Sequence, residues 1–280
     1  MDEVAMTAKT TNAEAAVQVP PGCRSMAGAR PGADADSGAT MFRVPLAPAT
    51  GAAVSRVDPL TLAIIADTAV GSAVISRQPG RATGVMAELC IDHVGTPADE
   101  ATALDIVAET LGSGPDTGTG RATVRDDTGV VVAHVVGVVA LDPAGGRVPE
   151  RAGSRSFDPP DIRLVPLDSD SVRVEIRPDM LNDRGTVHGG VLLGLAQRAQ
   201  ELFQLYRRVG CRPLRMSIDY LRPAPPDRHL VLRSSFERRG RRLWIVRTEI
   251  LDRGGRTVAI AHGTGVVADP AAKDSLESRG

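Results

Sequence analysis

The sequence predicts an α+β protein made of two similar units, each a long helix followed by an antiparallel sheet that wraps it. Two stretches carry apolar residues at helical spacing, and short alternating apolar runs follow each of them. Asp-x-Gly and Gly-Gly turns separate those runs, as antiparallel hairpins require. The order of elements then recurs: Leu192-Leu193-Gly194-Leu195-Ala196-Gln197 falls on Leu62-Ala63-Ile64-Ile65-Ala66-Asp67 when one half is slid onto the other.

In the first half, Met41–Leu46 reads as a strand and Leu60–Ile75 as a helix carrying Leu62, Ile65, Ala66, Ala69 and Val70. Strands follow at Val85–Val94, Ala103–Leu111, Gly120–Asp126 and Val130–Leu141. The segment Gly112–Gly120 resembles a phosphate loop in composition only. It lacks a following helix and Lys and reads as a long flexible hairpin. The second half has short strands at Ile162–Pro166 and Ser171–Arg177, a helix over His188–Arg207, and strands at Leu214–Leu221, Leu230–Arg238, Arg242–Leu251 and Arg256–Val267. An Ile-Asp pair stands in the strand after each helix (Ile91-Asp92, Ile218-Asp219). Pairing the two sheets edge to edge would hide two exposed strand edges.

The domains are thus expected at 41–141 and 161–268. A disordered extension over 1–40, a linker over 142–160 and a flexible tail over 269–280 complete the chain.

Hydrophobic residues are 42% of the 280 but aromatics only 2%, so the core must be aliphatic. A net charge of -1 suggests neither nucleic acid nor membrane as a partner. No apolar run is read as a membrane span and no signal peptide is visible. Cys23, Cys90 and Cys211 are odd in number and widely spaced, which favours a reducing cytoplasm over a disulfide framework. Neither they nor the five histidines have ligand spacing, so no metal and no cofactor are expected.

The chemistry concentrates in Asn182-x-x-Gly185-x-x-His188-Gly189-Gly190. Gly189 and Gly190 open a helix, where backbone N–H groups have no intrahelical partner and the dipole adds positive charge. Without Cβ atoms they let a substrate approach those donors. A carbonyl oxygen gaining negative charge would be stabilised there. Asn182 and His188 bring side-chain donors to the same end. Taken alone, a Gly-Gly pair is more often a packing device with His188 as a cap.

That motif, its apolar helix and the later Ser217-Ile-Asp-Tyr-Leu-Arg-Pro-Ala224 resemble the hotdog-fold acyl-CoA thioesterases of the phenylacetate-degradation (PaaI) type. The similarity spans 160–268, and 41–141 more weakly, so the resemblance implies a double hotdog. In that family an acid nine residues after the His acts across the dimer interface. Here that position is Gln197, while Asp67 stands at the matching place in the first half. The first helix begins instead with Asp58-Pro59, and Pro59 has no N–H to offer an oxyanion.

The expectation is one composite site per chain, with Asp67 opposite Asn182, His188, Gly189 and Gly190. Gln197 facing Asp58 and Pro59 would be inert. Asp67 would act as general base or nucleophile on an acyl-CoA or carrier-bound thioester, and Asn182 would position the water or the carbonyl. His188 would orient the loop or donate a hydrogen bond. Thr83 lies roughly where the family often has a helping hydroxyl.

Charge is uneven: residues 41–141 sum to -5 and 160–268 to +7. The Arg excess could help the halves dock, or receive coenzyme A phosphates at Arg215, Arg222, Arg238, Arg239, Arg241 and Arg242. The fused pair could dimerise again. Two other functions fit the fold, a non-catalytic acyl-thioester-binding protein and an acyl-thioester hydratase or dehydratase.

Overall fold

The computed structural model describes residues 32–33, 39–46, 57–78, 83–142, 162–182, 184–226 and 228–267. The first half contains β1 (Gly32–Ala33), β2 (Thr40–Pro45), α1 (Pro59–Ser76), β3 (Thr83–His93), β4 (Ala103–Ser113), β5 (Thr117–Asp126) and β6 (Val131–Asp142). The second contains β7 (Leu164–Pro166), β8 (Ser171–Glu175), α2 (Gly189–Tyr206), β9 (Cys211–Tyr220), β10 (His229–Arg239), β11 (Leu243–Leu251) and β12 (Thr257–Val267). Most of the expected extension, linker and tail lies outside the described residues. One part of the extension corrects its expectation, because Gly32–Ala33 pairs with Met41 and Thr40 as a strand.

Among the described residues twelve strands form one antiparallel sheet in the order β1-β2-β4-β5-β6-β3-β9-β12-β11-β10-β8-β7. The halves join through β3 and β9, where Leu89 faces Ile218, Cys90 faces Ser217 and Ile91 faces Met216. This is the expected edge-to-edge junction, and it leaves neither edge open. Residues pointing inward from it (Leu89, Ile91, Met216, Ile218) are all at most 2% exposed and lie in one core with both helices.

The helices cross in direct contact because glycine allows it. A Cβ on Gly190 would lie 2.4 Å from Ile64 Cα, and one on Gly194 would lie 2.6 Å from Leu60 Cα. α1 is apolar on every side, with mean hydropathy 1.6 over 18 residues, enough in length and composition for a membrane span. That departs from the sequence expectation of no such run. In this fold the helix is enclosed by β2–β6 and α2, which buries 61% of it, and a helix buried all round needs no polar stripe.

The Gly112–Gly120 segment is also shorter as a loop than expected. β4 runs through Ser113 and β5 begins at Thr117, leaving a tight turn closed by Gly114 N–H donating to Thr117 O at 2.8 Å. Gly118 and Gly120 are strand residues under Val74, where a Cβ would fall 2.4 and 2.9 Å from its methyl carbons. The two hairpin turns match across the halves. Asp126 accepts from Thr128 N and Val130 N, Asp252 from Gly254 N and Arg256 N, and each turn closes on a left-handed glycine, Gly129 (φ 99) or Gly255 (φ 76).

Candidate active site

The loop before α2 is braced by its own sequence. Gly185 takes φ 75, a left-handed conformation that favours glycine, so the chain turns back on itself. Asn182 Oδ1 accepts from Arg184 N at 3.0 Å and Thr186 N at 3.2 Å, while Asn182 Nδ2 donates to Thr186 Oγ1 at 2.9 Å. Asn182 therefore shapes the loop, and its oxygen is committed there. Val187 N–H donates to Ala224 O at 3.0 Å and His188 N–H to Met180 O at 2.9 Å. Two segments far apart in sequence are thereby fixed side by side, the His-Gly-Gly turn and the strand end running from Tyr220 to Ala224.

His188 is the N-cap of α2, its Nδ1 accepting from Gly190 N–H at 3.1 Å. The same N–H lies 3.0 Å from Asp67 Oδ2, contributed by the middle of α1. Asp67 Oδ2 and His188 Nδ1 are 3.1 Å apart. That separation puts the imidazole and the carboxylate within hydrogen-bonding range of each other at the head of α2. Asp67 is 9% exposed. Burial raises its pKa above the ordinary carboxylate value, opposed by His188 and then by the Gly190 N–H. Its Oδ1 has no hydrogen-bond partner among the described residues. Gly189 N–H, a first-turn donor of α2, likewise has no hydrogen-bond partner among the described residues.

The adjacent glycines thus serve different ends. A Cβ on Gly190 would strike backbone, Ile64 Cα at 2.4 Å and Ala63 O at 2.6 Å. One on Gly189 would meet site side chains, Asp67 Oδ2 at 3.0 Å and the Tyr220 hydroxyl at 3.2 Å. Gly190 lacks a side chain for helix packing rather than for substrate approach, which corrects half of the sequence reading. Tyr220 was not anticipated as a site residue, although it stands inside the recognised Ser217–Ala224 motif. Its hydroxyl is buried without a hydrogen-bond partner.

At the pseudo-symmetric position, Asp58 caps α1 by accepting from Thr61 N at 3.0 Å, and Arg198 Nη2 reaches Asp58 Oδ1 at 2.5 Å. Gln197 donates to Glu201 Oε1 at 3.3 Å. Arg198, not the expected Gln197, faces Asp58, because the longer charged side chain neutralises a buried carboxylate. Pro59 occupies the first helical position and supplies no N–H.

The expected phosphate-binding arginines scatter. Arg215 is paired with Asp92 at 2.5 and 2.8 Å, which holds the Asp92 carboxyl below its ordinary range. Arg238, Arg239, Arg241 and Arg242 belong to the β10–β11 hairpin. Arg239 there stacks on Phe236, which packs against Phe203 near the end of α2. By helix rise Phe203 lies about 20 Å from Gly189, so the hairpin stands at the opposite end of α2 from the helix start. Arg222 lies two residues beyond Tyr220, its N–H donating to Val258 O at 3.2 Å. Thr83 opens β3 beside Gly84, whose carbonyl accepts from Arg184 Nη2 at 3.3 Å. Among the described residues no hydrogen bond joins the Thr83 hydroxyl to Asp67. Among the described residues no group of three His, Cys, Asp or Glu side chains converges as a metal shell would.

An α+β sheet of twelve strands around two crossed helices, with an acid of one helix at the N-terminus of the other, defines a double hotdog. Residues 177–267 match the family model of the acyl-CoA thioesterase N-terminal domain. The fold is similar to a Lactobacillus plantarum protein assigned as an oleoyl thioesterase, at 11% identity and TM-score 0.59, over 82% of this chain and 97% of that one. It is similar to the tesB protein of Mycobacterium avium subs paratuberculosis (14% identity, TM-score 0.57, 81% and 93% covered). The 12:0-ACP thioesterase of Umbellularia californica aligns at 13% identity and TM-score 0.57, covering 81% and 94%. No curated protein matches the chain by sequence.

Proposed function

We propose that this protein is a thioesterase hydrolysing an acyl-CoA, or a carrier-bound acyl thioester, at a single site shared by its two halves. The observation that carries the reading is the Asp67 carboxylate, buried and hydrogen-bonded to Gly190 N–H at 3.0 Å across the helix crossing. An acid with a raised pKa beside a free helix-terminal donor suits general-base attack on a carbonyl. The family match over the second half and the thioesterases among the similar folds support the substrate class, and the loop motif supports the PaaI-type subfamily.

The thioester carbonyl oxygen takes the Gly189 N–H, at the positive end of α2. Asp67 Oδ1 accepts a proton from water, whose oxygen forms the new bond to the carbonyl carbon. The C–S bond then breaks, the sulfur leaves with the proton that Asp67 took from the water, and a carboxylic acid and a thiol are released. Asn182 and Gly185 hold the loop in register. The Asp58–Arg198 pair fills the counterpart position, so one site per chain is expected.

A thiol-release assay over acetyl-, octanoyl-, palmitoyl- and phenylacetyl-CoA, with acyl-carrier thioesters alongside, tests this. Wild type should turn over at least one, and Asp67→Ala should lose about 10³-fold or more. Turnover unaffected by Asp67→Ala would overturn the mechanism, and no turnover with any thioester would favour a binding protein. Single turnover in H₂¹⁸O tests direct attack: label in Asp67 shows a mixed anhydride opened at its own carboxyl carbon, whereas general-base attack leaves Asp67 unlabelled.

A further inference from the structure

The Tyr220 hydroxyl is the one buried polar group at the site that neither the loop nor the mechanism above uses. It lies at the end of β9, fixed against the His-Gly-Gly turn by the Val187–Ala224 hydrogen bond. Its oxygen would stand 3.2 Å from a Cβ placed on Gly189, and the same point is 3.0 Å from Asp67 Oδ2. Gly189 N–H, Asp67 and the Tyr220 O–H therefore crowd one small volume at the head of α2. Buried hydroxyls in folded proteins are nearly always satisfied, and this one has no partner among the described residues.

We propose that Tyr220 is a catalytic residue, its O–H donating to the thioester carbonyl oxygen alongside Gly189 N–H to complete a two-donor oxyanion hole. The inference rests on the reading of the site as an acyl-thioester site. A phenol suits the role because its ring is held by packing, so the donor is already oriented when charge develops on the oxygen. Burial, and after it the neighbouring Asp67 carboxylate, raise the phenol pKa well above its ordinary value, which keeps the proton on the oxygen. Gly190 N–H, the other donor at this helix end, is already engaged by Asp67 and His188.

The test is Tyr220→Phe, which removes the oxygen and keeps the ring. On the best substrate of the thioester panel, kcat should fall about a hundredfold, with KM changing by no more than about twofold. Thermal stability should be unchanged or slightly higher, since an unpaired hydroxyl is removed. Binding by calorimetry supplies a readout independent of turnover. The probes are ketone analogues of acetyl-, octanoyl- and phenylacetyl-CoA, with CH₂ in place of sulfur, and the matching S-alkyl-CoA thioethers, which lack the carbonyl. Tyr220→Phe should weaken the ketone that wild type binds best by about tenfold and leave its thioether unchanged. Equal affinity of wild type and variant for the ketone, with wild-type kcat, would overturn the role of Tyr220 while leaving the thioesterase reading standing. Failure of wild type both to turn over any thioester and to bind any analogue would overturn that reading and this inference together.

Discussion

Replacing Gly190 by Ala inserts one methyl group where α1 and α2 touch. That methyl would lie 2.4 Å from Ile64 Cα, 2.6 Å from Ala63 O and 2.8 Å from Ala63 C, all backbone atoms. Carbon contacts relax at about 3.5–4.0 Å, so the helices must separate by about 1 Å. Overpacking of this kind costs roughly 1–3 kcal/mol, offset by up to about 1 kcal/mol from the better helix propensity of Ala. The same separation would stretch the 3.0 Å bond from Gly190 N to Asp67 Oδ2 past hydrogen-bonding range. Displacing a catalytic group by about 1 Å costs on the order of a hundredfold in rate. Gly189→Ala is the internal control, because its methyl meets only the side chains of Asp67 and Tyr220, which can shift. Thermal melts and thiol release on both variants check the reasoning. Gly190→Ala should lower Tm by about 2–10 °C and activity about a hundredfold, whereas Gly189→Ala should lose activity with Tm nearly unchanged. A Gly190→Ala protein as stable as wild type, or equal losses of stability in both variants, would refute the assignment of packing to one glycine and site crowding to the other.

Because burial raises the Asp67 pKa, the folded protein holds this proton to higher pH than the unfolded chain, whose value is near 3.8. Its contribution to stability is thus greatest below that value and is lost as pH rises through the folded pKa. The Tm of wild type minus that of Asp67→Asn should accordingly decline with increasing pH above about 4 and then level off; a difference independent of pH would contradict the burial argument. At the counterpart position, Asp58→Ala strands the buried Arg198 and should destabilise by roughly 3–5 kcal/mol in denaturant titrations, more than the double variant Asp58→Ala/Arg198→Met. Equal losses in the single and double variants would show that the pair is not coupled.

Much of the fold was legible because periodicity is local. The apolar spacing of Leu62, Ile65 and Ala69 and of Leu192, Leu195 and Ala199 marked both helices, and the Asp126 and Asp252 turns marked the hairpins. The misreadings share one cause, since a glycine does not say what will lie opposite it. Gly118 and Gly120 read as loop until Val74 of α1 occupies the space above them. The arginines carry no address in the sequence either: Arg215 lies against Asp92 on the neighbouring strand, and the β10–β11 hairpin packs through Phe236 on Phe203 of α2.

By itself the sequence determined that the chain has two helix-and-sheet units, that a donor-rich helix start lies at His188–Gly190, and that Asp67 and Gln197 occupy matching positions. These follow from side-chain order along a helix or strand, which short-range sterics and burial dictate. Only the tertiary structure decided that Asp67 meets Gly190 N–H, that Tyr220 joins them, and that Arg198 closes the other crossing on Asp58. Those contacts depend on how closely two helices pass and on the β3–β9 register, which are set by packing between residues more than a hundred positions apart.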